Sequence, residues 1–174
     1  TPTATPTATI IKTVMPIALA PQALRVGINH LPNAQLILIK TENAHDTSTA
    51  TTKYFFRNDL TTKKYFYVLV NSQNESEIVD KAIYVNPDNN IPTLNDLVLG
   101  NKLGIDFNEA LSTTQKLCPQ DLCTTAAIKA QFIKSGAKTI WQLSLTPTDT
   151  TKSTLVIQID SVTKEILFKS AGFN

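Results

Sequence analysis

The chain repeats itself. Ala23-Leu24 opens one apolar helical pattern, and Ala110-Leu111 opens another 87 residues later (110 − 23). The same offset separates Tyr54, in an aromatic run of strand character, from Trp141 (141 − 54 = 87). Late in each half an apolar run ends in a polar turn and restarts. The first instance is Val70-Asn71-Ser72 before Glu77-Ile78-Val79, and the second is Ile159-Asp160-Ser161 before Glu165-Ile166-Leu167. The offsets here are 89 (160 − 71) and 88 (165 − 77), so only small insertions separate the copies. A repeat of this kind constrains architecture before composition does. It predicts an α+β fold of two tandem units, each one helix packed on a three- or four-stranded antiparallel sheet. The expected division is a Thr/Pro-rich tether over 1–15, a first unit over 16–90 and a second over 91–174.

Local patterns place the elements. Ala20, Ala23, Leu24, Ile28 and Leu31 recur at helical spacing, with Pro21 suited to the first turn and Pro32 ending the segment. Gly27 weakens that helix by up to about 1 kcal/mol relative to alanine, and its use would be close approach of a strand. Strands are expected at 34–40, 54–56, 64–71 and 77–85. In the third of these both faces are apolar, so neither is freely solvated, or one meets the neighbouring unit. The turn formers from Asn86 to Pro92 mark the boundary. Beyond it comes a short helix over 94–99, capped by Thr93 and closed by Gly100. Asp106 then starts a second helix by accepting from first-turn amides, with Glu109 placed to reach back. Strands are expected at 127–133, 139–145 and 154–160. The turn Ser161-Val162-Thr163-Lys164 leads into Glu165-Ile166-Leu167-Phe168.

Ile105-Asp106 followed by Glu109-Ala110-Leu111, Trp141 in the middle strand, and the hairpin Asp160-Ser161-x-Thr163-x-Glu165-Ile166-Leu167 together resemble the PepSY family. Lys164 stands where that family usually has glycine, and the corresponding turn of the first half, Asn71 to Glu77, departs from the motif. The resemblance covers about residues 94–170. It implies cystatin-like α+β units that are extracytoplasmic and non-catalytic, often found in protease propeptides or surface lipoproteins.

Bulk properties remove other classes. The net charge of +2 comes from 16 basic and 14 acidic residues, and no basic run exceeds Lys63-Lys64. A phosphate-tracking surface needs a clustered basic face, so nucleic acid is not an expected partner. No run reaches the roughly 18 apolar residues of a membrane span. Thr1-Pro2-Thr3-Ala4-Thr5-Pro6-Thr7-Ala8-Thr9 can build no core and reads as an extended spacer. Such tethers follow signals or membrane anchors. The expectation is an extracytoplasmic, surface-anchored, lipoprotein-like ectodomain cut from its anchor.

Two cysteines, Cys118 and Cys123, lie in Cys-Pro-Gln-Asp-Leu-Cys where the second helix ends. A local disulfide suits an oxidising compartment. A zinc site would need two further ligands, and His30 and His45 belong to the other half. A redox pair normally has two intervening residues rather than four. The disulfide is the expected reading. No metal, cofactor or catalytic set is expected: His45-Asp46 lies in a polar loop, and His30 precedes a helix stop. Asp88, Asn89, Asn90 and Asp96 read as an interdomain turn. The aromatic cluster is the candidate binding feature, with Tyr54, Phe56, Tyr65 and Tyr67 its principal members. The function expected is non-enzymatic binding of a protein or peptide of the cell envelope, peptidase regulation included. The alternative is a structural spacer or assembly subunit of an envelope complex.

Overall fold

A computed structural model describes residues 15–42, 51–58, 65–70, 75–79, 91–117, 126–149 and 151–170. In chain order these form α1 (Pro16–His30), β1 (Gln35–Glu42), β2 (Thr51–Arg57), β3 (Tyr65–Val70), β4 (Ser76–Val79), α2 (Asn95–Leu99), α3 (Phe107–Gln115), β5 (Ala127–Ser135), β6 (Lys138–Thr146), β7 (Leu155–Asp160) and β8 (Ile166–Lys169). Residues 1–14 of the tether, His45 and both cysteines lie outside the described residues, as does most of the Asn86–Pro92 turn.

The expected pair of helix-on-sheet units is overturned. All eight strands belong to one antiparallel sheet, ordered β4-β3-β2-β1-β5-β6-β7-β8, and the fold is mostly β with three short helices among the described residues. The seam is β1 on β5, where Ile39 pairs with Phe132, Lys40 with Gln131, Thr41 with Ala130 and Glu42 with Lys129. The physical reason is size and edge. A unit of under ninety residues buries too small a fraction of its surface to be secure alone. Its innermost strand would also present an unpaired ladder. Joining β1 to β5 removes two open edges at once and makes one core, in which Leu24 and Phe56 belong to the same cluster as Phe132, Trp141 and Ile157.

Both longer helices cover one face of this sheet. Ala20, Ala23 and Leu24 of α1 bury against Tyr54, Phe56 and Phe66, and Phe107 of α3 meets Trp141 edge to face at 5.9 Å. Helix α1 starts earlier than its apolar spacing suggests. Pro16 takes the first-turn position, so Pro21 lies inside the helix and removes the bond Ile17 O would otherwise accept. Pairing between β1 and β5 begins only at Ile39. Upstream, α2 takes over: Asn95 Oδ1 accepts from Leu36 N at 2.8 Å, its Nδ2 donates to Ala34 O at 3.0 Å, and Leu94 N donates to Leu36 O at 2.7 Å.

The two helices are held to each other by one carboxylate. Asp106 caps α3 through Phe107 N at 2.7 Å, as its local sequence predicts. It also accepts from Ile17 N at 3.1 Å and Ala18 N at 3.0 Å, in the first turn of α1. One side chain therefore satisfies orphan amides of two helices and meets the positive end of both dipoles. Glu109 does not close a capping box; its carboxylate pairs with Lys164 instead. Burial raises the Asp106 pKa from the ordinary 3.8, against the lowering effect of its three amide donors.

Two predictions follow from this packing. A Cβ on Gly27 would lie 2.6 Å from Phe56 Cζ, and that ring is fully buried and stacked on Phe66 at 5.1 Å, so it has nowhere to go. Gly27→Ala is expected to cost about 1–3 kcal/mol of overpacking, less the propensity gain of up to about 1 kcal/mol. Thermal unfolding should show a net drop in Tm, partly restored in Gly27→Ala/Phe56→Leu.

The second concerns acid. A raised folded pKa at Asp106 penalises the charged form at neutral pH, and that penalty lifts as pH falls through the folded pKa. Asp160 has the opposite sign. Its carboxylate accepts from Thr163 N and Val162 N, which hold its pKa below 3.8, so its stabilisation is present above 3.8 and is lost as pH falls further. Urea unfolding across this range should show the stability gap between wild type and Asp106→Asn widening on acidification. The gap to Asp160→Asn should narrow. Slopes of the same sign in both variants would refute the assignment.

Candidate binding surfaces

Alternation along the strands divides the aromatic cluster. In β2, Tyr54 and Phe56 point to the helix face and are 0% exposed. Tyr54 is fixed by a hydrogen bond from its hydroxyl to Pro16 O at 2.7 Å, and burial, then the charge of Asp106, raises its pKa well above 10.0. Trp141 does comparable work in the other half, donating from Nε1 to Ile105 O at 2.9 Å, just ahead of α3. Tyr54 and Phe56 are therefore core residues, closed to a surface partner. Tyr65 and Tyr67 point the other way, because β3 pairs Tyr67 with Phe55 and Tyr65 with Arg57. Both are half-buried on the second face, which is helix-free among the described residues. Among the described residues β3 lies between β2 and β4 of its own half and pairs with no strand of the other.

The helix-free face carries a mixed surface. Phe55 and Tyr67 pack with ring centroids 5.5 Å apart and planes tilted by 48°. Lys40 Nζ lies 6.0 Å from the Phe55 ring and Lys53 Nζ 6.0 Å from the Tyr67 ring, both at the outer limit of cation–π range. Lys53 also pairs with Glu42 at 3.3 Å. Arg57, from the same face, donates to Gln35 Oε1 through Nε at 2.9 Å and Nη2 at 2.7 Å.

The two edges of the sheet are β4 and β8. At β8, Ile166, Leu167 and Phe168 are 41%, 38% and 48% exposed. The neighbouring turn is rigidly built. Asp160 Oδ1 accepts from Val162 N and Thr163 N, and its Oδ2 pairs with Lys138 at 3.2 Å. Ser161 Oγ donates to Leu103 O at 2.7 Å and shares a hydrogen bond with Thr139 Oγ1. Gly104, at φ +90°, lets the backbone close on Ser161 O, which a Cβ would approach to 2.2 Å. Ser161 is thus fully committed to holding the segment before α3 against the β7–β8 turn.

The other candidates for chemistry do not converge. His30 packs edge to face on Phe66 at 5.1 Å. Among the described residues no three His, Cys, Asp or Glu side chains come together as a metal site, and no helix is long and apolar enough to cross a membrane. Among the described residues no buried side-chain polar atom lacks a hydrogen-bond partner.

One turn position makes a prediction. Lys164 has φ +64°, a left-handed conformation in which a side chain costs about 1 kcal/mol or more. Lys164→Gly should gain most of that while losing only an exposed ion pair with Glu109, which is worth little. The Tm should rise by a few degrees at about 2–4 °C per kcal/mol. Glu109→Gln, which removes the ion pair alone, should leave Tm nearly unchanged. A lower Tm in Lys164→Gly would show that the pair outweighs the backbone strain.

No protein-family model matches this sequence, and no curated protein matches it. In fold the chain is similar to the crystal structure of a "putative lipoprotein" from Clostridium difficile 630, with a TM-score of 0.57 and 10% identity, over 94% of this chain and 99% of that one. At that identity the likeness is one of fold alone.

Proposed function

We propose that this protein is a non-enzymatic, extracytoplasmic module that binds an envelope protein or peptide by adding a strand at the β8 edge. The observation that carries the reading is the placement of the seam. The halves join at β1 and β5, so among the described residues no strand of the opposite half pairs with either outer edge. An edge strand left with three consecutive exposed apolar side chains is a hazard unless something uses it. The register shifts once along β8, between its partners Gln158 and Ile159, which shortens the straight ladder a guest could extend. Affinity there rests on the side chains of Ile166 and Phe168 as much as on main-chain bonds.

The similarity in fold to a lipoprotein supports an envelope location, as does the Thr/Pro-rich segment. The Asp160–Leu167 turn supports a PepSY-like origin: the position at which that family favours glycine is the one found here with positive φ. A peptidase-regulatory role would use the same edge, by engaging an extended segment of the peptidase.

The test is to pan a phage-displayed decapeptide library on the full chain, synthesise a selected peptide and titrate it by NMR. Amide shifts are expected to cluster on β8, and Phe168→Lys, at an exposed position, is expected to weaken the peptide about tenfold. Shifts confined elsewhere, or a peptide indifferent to Phe168→Lys, would overturn the reading. Self-association through β8 with no peptide selected would transfer the edge to a structural role.

A further inference from the structure

Following the strand pairings across the helix-free face uncovers a line of polar side chains that no single segment of the chain contains. Lys53 is paired with Lys40, Lys40 with Gln131, Gln131 with Gln142, Gln142 with Gln158, and Gln158 with Phe168. These are directly opposed positions on six successive strands. At about 4.8 Å per strand the line is roughly 24 Å long and runs perpendicular to the strands. Its immediate sequence neighbours, such as Ile39, Tyr54, Phe132 and Trp141, fill the core on the other face. The five polar members are half-buried and Phe168 is 48% exposed.

We propose that this line is a binding track for a linear, negatively charged polysaccharide. Three features carry the proposal. The first is charge. Lys40 and Lys53 face each other directly, an arrangement that costs stability in a sheet unless an anion answers it. Glu42 answers Lys53 at 3.3 Å, while Lys40 has no carboxylate partner among the described residues. The second is the amide row. Gln158 Nε2 donates to Gln142 Oε1 at 2.9 Å, which orients both amides. Gln142 Nε2 and Gln158 Oε1 keep a donor and an acceptor with no bond among the described residues, and hydroxyl-bearing rings need both kinds. The third is shape. A polypeptide adds to a sheet at its edge, through the main chain, whereas this face offers side chains only, spaced along a straight line that an extended polymer can follow. Phe168 at one end, with half-buried Tyr67 beside Lys53 at the other, supplies aromatic surface for the C–H faces of the rings.

The track shares Phe168 with the strand-addition reading, but Lys40 and Gln142 lie four and two strands from β8, so variants there test the track alone. The experiment is calorimetric titration of the full chain with a galacturonic acid hexamer. Neutral cellohexaose and poly-L-glutamate serve as comparison ligands. The expected result is saturable binding of the uronic acid hexamer that weakens with salt. Lys40→Gln/Lys53→Gln should weaken it about tenfold, the Lys→Arg pair should retain it, and Gln142→Ala should weaken it several-fold. Lys169→Gln, on the opposite face, should leave it unchanged, and urea midpoints should show that each variant is folded. Absence of saturable binding would overturn the proposal. So would cellohexaose or poly-L-glutamate binding as tightly as the uronic acid, or indifference to Gln142→Ala.

Discussion

Four residue pairs between β1 and β5 decide what this molecule is. Each half of the chain has the strands for a small sheet, but a small sheet with one helix buries too little to stand well alone. The seam converts two marginal layers into one eight-stranded sheet with a continuous core. It also dictates where the liabilities go. Antiparallel order around a central seam pushes the unpaired ladders to β4 and β8, the far ends of the sheet. Asp106 repeats the logic in the helical layer. Its carboxylate bonds amides from the first turns of α1 and α3, so the helices are tied at their starts as the strands are tied at the seam.

Bringing the halves together in this way has an electrostatic cost that the structure confines. Asp106 is a charge held largely away from water, and its raised pKa records that penalty. Three amide donors and two helix dipoles compensate it. Asp160 holds the other local knot, with a pKa lowered by the amides of its own turn and by Lys138. These two carboxylates do opposite things with pH because one is defined by burial and the other by donors.

Features set by neighbours in sequence were legible in the sequence. Asp106 as a helix cap needed only its own first turn, and Gly27 as a point of close approach needed only its place on an apolar helix face. The strands appear near their expected positions for the same reason. What depends on residues far apart was not legible. That Asp106 also caps α1, 88 and 89 residues upstream, follows from how the layers stack. The aromatic cluster shows the difference most clearly. Spacing within β2 groups Tyr54 with Phe56, and spacing within β3 groups Tyr65 with Tyr67. Only the register, with Phe56 opposite Phe66 and Phe55 opposite Tyr67, reveals that the two groups face opposite ways. A slip of one residue would have exchanged them. The line from Lys53 to Phe168 was hidden for that reason: its members meet only through five successive pairings.

The two faces of the sheet therefore answer different questions. On the helix face the polar atoms are consumed by the fold: Tyr54, Trp141, Thr139 and Ser161 each spend a donor on packing layers together. Changes there register as stability. On the open face two lysines stand opposed, Lys53 answered by Glu42 and each lysine near an aromatic ring, and a row of amides continues the line across three strands. The position of Lys40, without a carboxylate of its own and next to three strands of amides, makes an anion with many hydroxyls the partner that fits.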